Sequence, residues 1–147
     1  MKSFKRVLVV FLAAAILATM MTAPVNAAEL EDAKKLETLG ILKGTGSGVD
    51  PAYRASVPQR YQAAWLFLRL LGHEAKAKTW MGALNFSDAS TARNTSGNTL
   101  NAENKKMLAY LFAHQNLGFM GYLDNTFRPF IEINAQMYYK LMLVALG

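Results

Sequence analysis

The sequence predicts an all-α fold, two tandem helix–loop–helix units packed as one small domain behind a leader segment. Three observations carry this expectation. Apolar residues recur at helical spacing in four stretches. Glycine and proline punctuate the segments between them, and that punctuation comes in the same order twice. The units are placed at residues 28–72 and 101–147, joined by a connecting segment at 73–100 that holds a short helix and a polar loop.

Residues 1–27 open with Lys2, Lys5 and Arg6, continue through an apolar run from Val7 to about Met21, and end with the small residues Val25 and Ala27. A secretory signal peptide is built this way, with cleavage expected after Ala27. The run falls short of the ~20 apolar residues that a membrane-spanning helix needs, so membrane contact is expected only in transit. No cysteine stands near the cut, so no lipid anchor on cysteine is expected. Lys2, Lys5 and Arg6 are three of the 16 basic residues, which leaves 13 against 10 acids in the remaining 120 or so. That near balance lacks the clustered basic charge of a nucleic-acid binder. About 120 residues can bury a real core, and with no cysteine its stability has to come from packing.

The first helix is expected over Glu29 to Leu39, where Leu30, Ala33 and Leu36 share a side and Gly40 supplies the left-handed cap. The stretch "GILKGTGSGVDPAYRASVP" then reads as loop throughout, because its glycines and prolines argue against a regular element. Pro58 suits a first helical turn. From it, "PQRYQAAWLFLRLLG" makes a second helix that is apolar on nearly every side, which places Trp65, Phe67 and Leu68 in a core. "HEAKAKTWMGAL" holds a short helix and "NFSDASTARNTSGNT" a surface loop. "NAENKKMLAYLFAHQ" is a third long helix with Leu108, Leu111 and Phe112 on one face, "NLGFMGYLDNTFRPF" a loop, and "EINAQMYYKLMLVAL" the last helix.

Side by side, the two halves share one order. Helix, Gly40-Ile41-Leu42-Lys43-Gly44, Pro51, Gln59-Arg60-Tyr61-Gln62 and an apolar helix ending Leu70-Leu71-Gly72 are answered by helix, Gly118-Phe119-Met120-Gly121, Pro129, Asn134-Ala135-Gln136-Met137 and an apolar helix ending Ala145-Leu146-Gly147. Leu39 to Gly44 match a pattern L-G-I-x-x-G, Asp124 to Pro129 a turn D-G-T-F-R-P, and Ile133 to Gly147 a helix that opens I-T-R-A-E and ends A-L-G. Phe86-Ser87-Asp88 resembles the F-x-D that often opens a repeat. Together these resemble the S-layer homology repeats of bacterial cell-surface proteins. The run Ile133, Ala135, Gln136, Tyr138, Tyr139, Lys140 is also similar to divergent paired repeats in exported proteins of spore-forming Gram-positive bacteria.

The resemblance implies a non-catalytic, all-helical module that binds an anionic secondary wall polysaccharide and holds a protein on the cell wall. In the family, the Arg of T-R-A-E contacts the polymer, and here it falls on Arg60; the second unit has Ala135 there. The Glu position is Gln62 in one unit and Met137 in the other, and two repeats stand where the family usually has three.

Chemistry independent of any family points to the same neighbourhood. Arg60 lies in the first turn of a helix, where free backbone N–H groups and the dipole favour anions, and a guanidinium grips a carboxylate or phosphate with two bonds. The candidate polymer site is Arg60 with Gln59, Gln62 and Gly44, and Arg128 and Asp124 from the later turn. Two structural alternatives stand beside it: Arg60 pairing with Asp50, and Arg128 pairing with Asp124 to hold the turn. For an enzyme, the materials are missing. His73 and His114 have no metal-ligand spacing, Glu29, Glu31 and Asp32 point different ways on one helix, and neither a G-x-S-x-G elbow nor a P-loop occurs. No cofactor, metal or nucleic acid is expected. The alternative is an interaction module of the cell envelope, in which Phe127, Phe130, Tyr138, Tyr139, Met137 and Met142 meet another surface protein or a second copy; the other place for these residues is the core between the two units, which is the one expected for Met137 and Met142.

Overall fold

The structure, a computed structural model, describes residues 25–44 and 48–146; the leader predicted at 1–27 lies outside them up to residue 24. Packing groups the chain into two compact units, residues 1–36 and 37–147. Among the described residues there are six α-helices: α1 (Val25–Thr38), α2 (Pro51–Ala55), α3 (Arg60–Leu70), α4 (Glu74–Lys78), α5 (Ala102–Ala113) and α6 (Ala135–Leu146), with a short 3-10 turn at Gln115–Leu117. They contain no β-strand, only isolated bridges, and no helix long and apolar enough to cross a membrane.

Helix α1 starts four residues before the expected Glu29 and belongs to the first unit up to Leu36. It stops as predicted at Gly40, whose φ of +71° lets its N–H reach the Glu37 carbonyl at 2.8 Å. The loop expected across residues 40–58 contains α2, a correction with a local cause. Asp50 accepts the Tyr53 N–H at 2.7 Å and Pro51 occupies the first helical position, so Asp-Pro starts a helix here instead of breaking one. Pro58, expected inside the first turn of α3, stands two residues ahead of it. Ahead of α6, Asn134 caps the helix by accepting the Met137 N–H at 2.8 Å.

Within the second unit, α4 packs on α5 and on α3, and α3 also meets α6. Trp65, Phe67 and Leu68 are core residues as the apolar pattern predicts, and Leu108 and Leu111 join them from α5. Met137, Met142, Phe112 and Phe130 pack on this core from a half-buried position. Phe127 is fully buried, which removes it from any docking face. Both Tyr138 and Tyr139 are exposed, so neither points fully inward; Tyr138 sets its edge against Phe67 at 6.0 Å between centroids.

One ion cluster ties the early loop to this core. Glu74 accepts Lys43 Nζ at 2.8 Å, Arg69 Nε at 3.2 Å and Lys78 Nζ at 3.2 Å. Burial works to raise the Glu74 pKa, but the hydrogen bonds from Lys43, Lys78 and Arg69 prevail and hold it at about 2, below the ordinary 4.5. A carboxyl depressed in the folded state contributes stability above its unfolded pKa, and loses that contribution as pH falls through the folded value. The urea midpoint is therefore expected to fall between about pH 4.5 and 2. Glu74→Gln should lower the midpoint at pH 7 and flatten that part of the profile; an unchanged acid limb in the variant would assign the loss to other groups.

Candidate functional site

The site begins where two distant segments meet. Pro58 and Gln59 run antiparallel to residues 131–133: the Ile133 N–H donates to the Pro58 carbonyl at 3.0 Å, and Gln59 and Glu132 form a bridge. The first N–H groups of α3 follow the same pairing, Arg60 to the Ile131 carbonyl at 2.8 Å and Tyr61 to the Pro129 carbonyl at 3.0 Å. Gln62 reaches back to accept the Gln59 N–H at 2.8 Å, one arm of a capping box, which is chemistry a glutamine performs as well as a glutamate. These bonds correct one expectation: the N–H groups at the start of α3 are already satisfied, so an anion there would rely on side chains.

The Arg60 side chain leaves this junction into a cleft of about 190 Å³, lined by the loop Gly118 to Tyr122 and by Met137, Lys140 and Leu141. It is only 7 % exposed. One guanidinium nitrogen donates to the Met120 carbonyl at 3.2 Å and another meets the Met137 sulfur at 3.5 Å, while Nε is buried without a hydrogen-bond partner. Aromatic rings surround the cation, Phe127 at 4.7 Å, Tyr122 at 5.0 Å and Phe119 at 6.0 Å from the guanidinium carbon. Ring faces offset part of the cost of desolvating a cation. Burial lowers the Arg60 pKa, with Tyr122 and Asp88 opposing and Arg128 adding to the shift, yet a guanidinium stays protonated at physiological pH. Among the described residues Arg60 makes no ion pair. The alternative pairing with Asp50 is not formed, since Asp50 caps α2.

Above the cleft, the Asp124 turn is held by its own side chains. Asp124 accepts the Thr126 N–H at 3.0 Å, the Thr126 hydroxyl at 2.6 Å and the Arg128 guanidinium at 2.9 Å, and the Thr126 and Arg128 bonds keep its pKa at about 2. Arg128 thus belongs to a turn pair, and its guanidinium also lies 4.1 Å from the centroid of the Tyr122 ring. Both arginines therefore touch Tyr122. Phe86-Ser87-Asp88 supports this turn from 40 residues away: Asp88 accepts the Phe127 N–H at 2.8 Å and the Arg128 N–H at 2.7 Å.

The six candidate residues do not form one constellation. Arg60 lies in the small cleft, Gln59 in the helix cap, and Asp124 and Arg128 in the exposed turn. Gly44 and Gln62 line a different, larger cleft of about 720 Å³ between α2 and α3. Gly44 has φ of +60°, and a Cβ added there would fall on the Gly48 backbone, so its glycine serves the loop. The residues that sequence reasoning missed are Phe119, Tyr122 and Lys140. A faint signal exists, because "LGFMGY" places both aromatics beside the glycines of one short loop.

No protein-family model matches the chain, and no curated protein and no solved structure matches it.

Proposed function

We propose that this chain is an exported, non-catalytic module of the S-layer homology type, which associates with the bacterial cell wall by holding an anionic group of a wall polysaccharide at Arg60. The observation that carries this proposal is the buried Arg60 cation, with a free Nε, no ion pair among the described residues and a lining of aromatic faces. A fixed guanidinium in a partly dry cleft binds a carboxylate more strongly than one in water, because the solvent that would screen the pair is excluded. Lys140 on the lining adds a second positive charge.

The recurring order of the sequence also favours the proposal. Gly40 and Gly118 both follow a leucine and both adopt a left-handed conformation, with φ of +71° and +89°. The cleft takes its arginine from the helix of one half and its loop from the glycine segment of the other. Export is part of the same proposal, and the intact mass of protein recovered from its host is expected to begin at Ala28. A mass that includes residues 1–27 would refute cleavage.

Binding is tested by co-sedimentation with cell walls of the host, before and after chemical removal of the wall polymer. Wild type is expected to pellet only with polymer-bearing walls, and Arg60→Ala to lose at least about ten-fold in binding, the ~1.4 kcal/mol or more of a charge-assisted contact, while still unfolding cooperatively. Equal binding of wild type to stripped walls would overturn the proposal. A second reading, an envelope protein-interaction module, draws on α6, which leaves Tyr139 and Leu143 67 % and 71 % exposed; retention on stripped walls would favour it.

A further inference from the structure

We propose that the cleft between α2 and α3 is a second binding site, separate from Arg60, for a ring-shaped ligand that carries a carboxylate, of the uronic-acid kind, with Arg54 as its anchor. The local sequence builds the site. Asp50 and Pro51 start the single turn of α2, which brings Tyr53 and Arg54 to the cleft wall opposite Tyr61, Gln62 and Trp65 of α3. At about 720 Å³ the cleft is within the range of small-molecule sites.

Its polar groups define the ligand. The Nε of Arg54 is buried with no hydrogen-bond partner, and the guanidinium makes no ion pair among the described residues. The acid beside it, Asp50, is engaged by the Tyr53 N–H at 2.7 Å. The other two cations of the lining, Lys43 and Arg69, are both held by Glu74. Gln62 has spent its oxygen on the Gln59 N–H, which leaves its amide N–H2 to donate. The Tyr53 and Tyr61 hydroxyls make no hydrogen bond among the described residues and are free to donate as well. Asp50 apart, the open groups of the lining are a cation and groups able to donate, which suits a ligand rich in oxygen and negatively charged. The planar fork of Arg54 matches a carboxylate in two-bond geometry, and the tyrosine rings offer faces for the C–H side of a sugar ring.

The test is an amide-resolved NMR titration of the full chain with sodium glucuronate, with glucose as the neutral ring and inorganic phosphate as charge without a ring. Glucuronate is expected to give saturable shifts at Tyr53, Arg54 and Gln62, with glucose and phosphate at least ten-fold weaker. Arg54→Gln should weaken glucuronate at least ten-fold and Arg54→Lys by less, because Lys keeps charge but loses the fork. Retained dispersion of the core amides shows that each variant is folded. Any shifts at residues 118–141 that disappear in Arg60→Ala report the Arg60 cleft and are read apart from those at Tyr53 and Arg54, which separates this site from the wall-polymer proposal. Three results would overturn it: no shifts at these residues, phosphate equal to glucuronate, or Arg54→Gln binding like wild type. Shifts confined to residues 118–141 would assign the ligand to the Arg60 cleft and also overturn it.

Discussion

Phe127→Ala is expected to lower the stability of the second unit by about 3–5 kcal/mol, the range for truncating a buried phenylalanine. Phe127 has no exposed surface, and its ring touches Phe86 at 5.1 Å and Phe119 at 6.0 Å between centroids. It joins elements far apart in sequence, so little else can close the space it leaves. A domain of this size holds on the order of 5–15 kcal/mol in total, so the variant should shift the urea midpoint by a large fraction with the denaturant slope preserved. The ring also lies 4.7 Å from the Arg60 guanidinium carbon, the shortest of that cation's aromatic distances. Phe127→Leu refills most of the volume without a ring face. It should recover more than half of the lost stability and less of any anion binding. A Phe127→Ala loss under about 1.5 kcal/mol would mean that neighbouring rings collapse into the gap and that Phe127 is not central to this core.

The long helices were legible because their apolar residues fall at a period that only a helix turns to one side. Trp65, Phe67, Leu68, Leu108 and Leu111 illustrate this. Helix α2 was hidden for the opposite reason: in a stretch crowded with glycine, the same Asp50-Pro51 that reads as a turn also serves as N-cap and first helical residue. Local cues could not separate the two. The place of Arg60 in the first turn of a helix was legible from the apolar run that follows it, but its surroundings were not. Met120, Tyr122, Phe127 and Ile131 come to it from 60 to 71 residues further along the chain, and only tertiary pairing decides that Ile131 and Pro129 use the N–H groups an anion might have shared. The pair Asp124 and Arg128 was legible as a turn device because its spacing is short and its partner Thr126 lies between them.

Asp88→Ala is expected to cost about 2–4 kcal/mol, because one carboxylate accepts two backbone N–H groups from the turn that carries Phe127 and Arg128 and charge-assisted bonds contribute about 1.5–3 kcal/mol each, not additively. The Arg128 N–H belongs to a residue with φ of +55°, a conformation that non-glycine residues seldom adopt without support. Asp88→Asn separates the two bonds. Its amide oxygen can keep one N–H, but its NH2 group then faces the other, so an isosteric change should still cost about half of the alanine effect or more. If Asp88 mattered only through its backbone carbonyl, which accepts the Ala92 N–H at 2.8 Å, asparagine would be nearly silent. The same substitution has an opposite consequence at the cleft. Asp88 is one of the groups that offset the Arg60 charge, so its neutral variant leaves Arg60 more electropositive. Under the wall-anchor proposal, Asp88→Asn should unfold at lower urea and yet bind polymer-bearing walls at least as tightly as wild type. A variant that lost stability and wall binding together would show that the turn's geometry, rather than the charge at Arg60, limits the interaction.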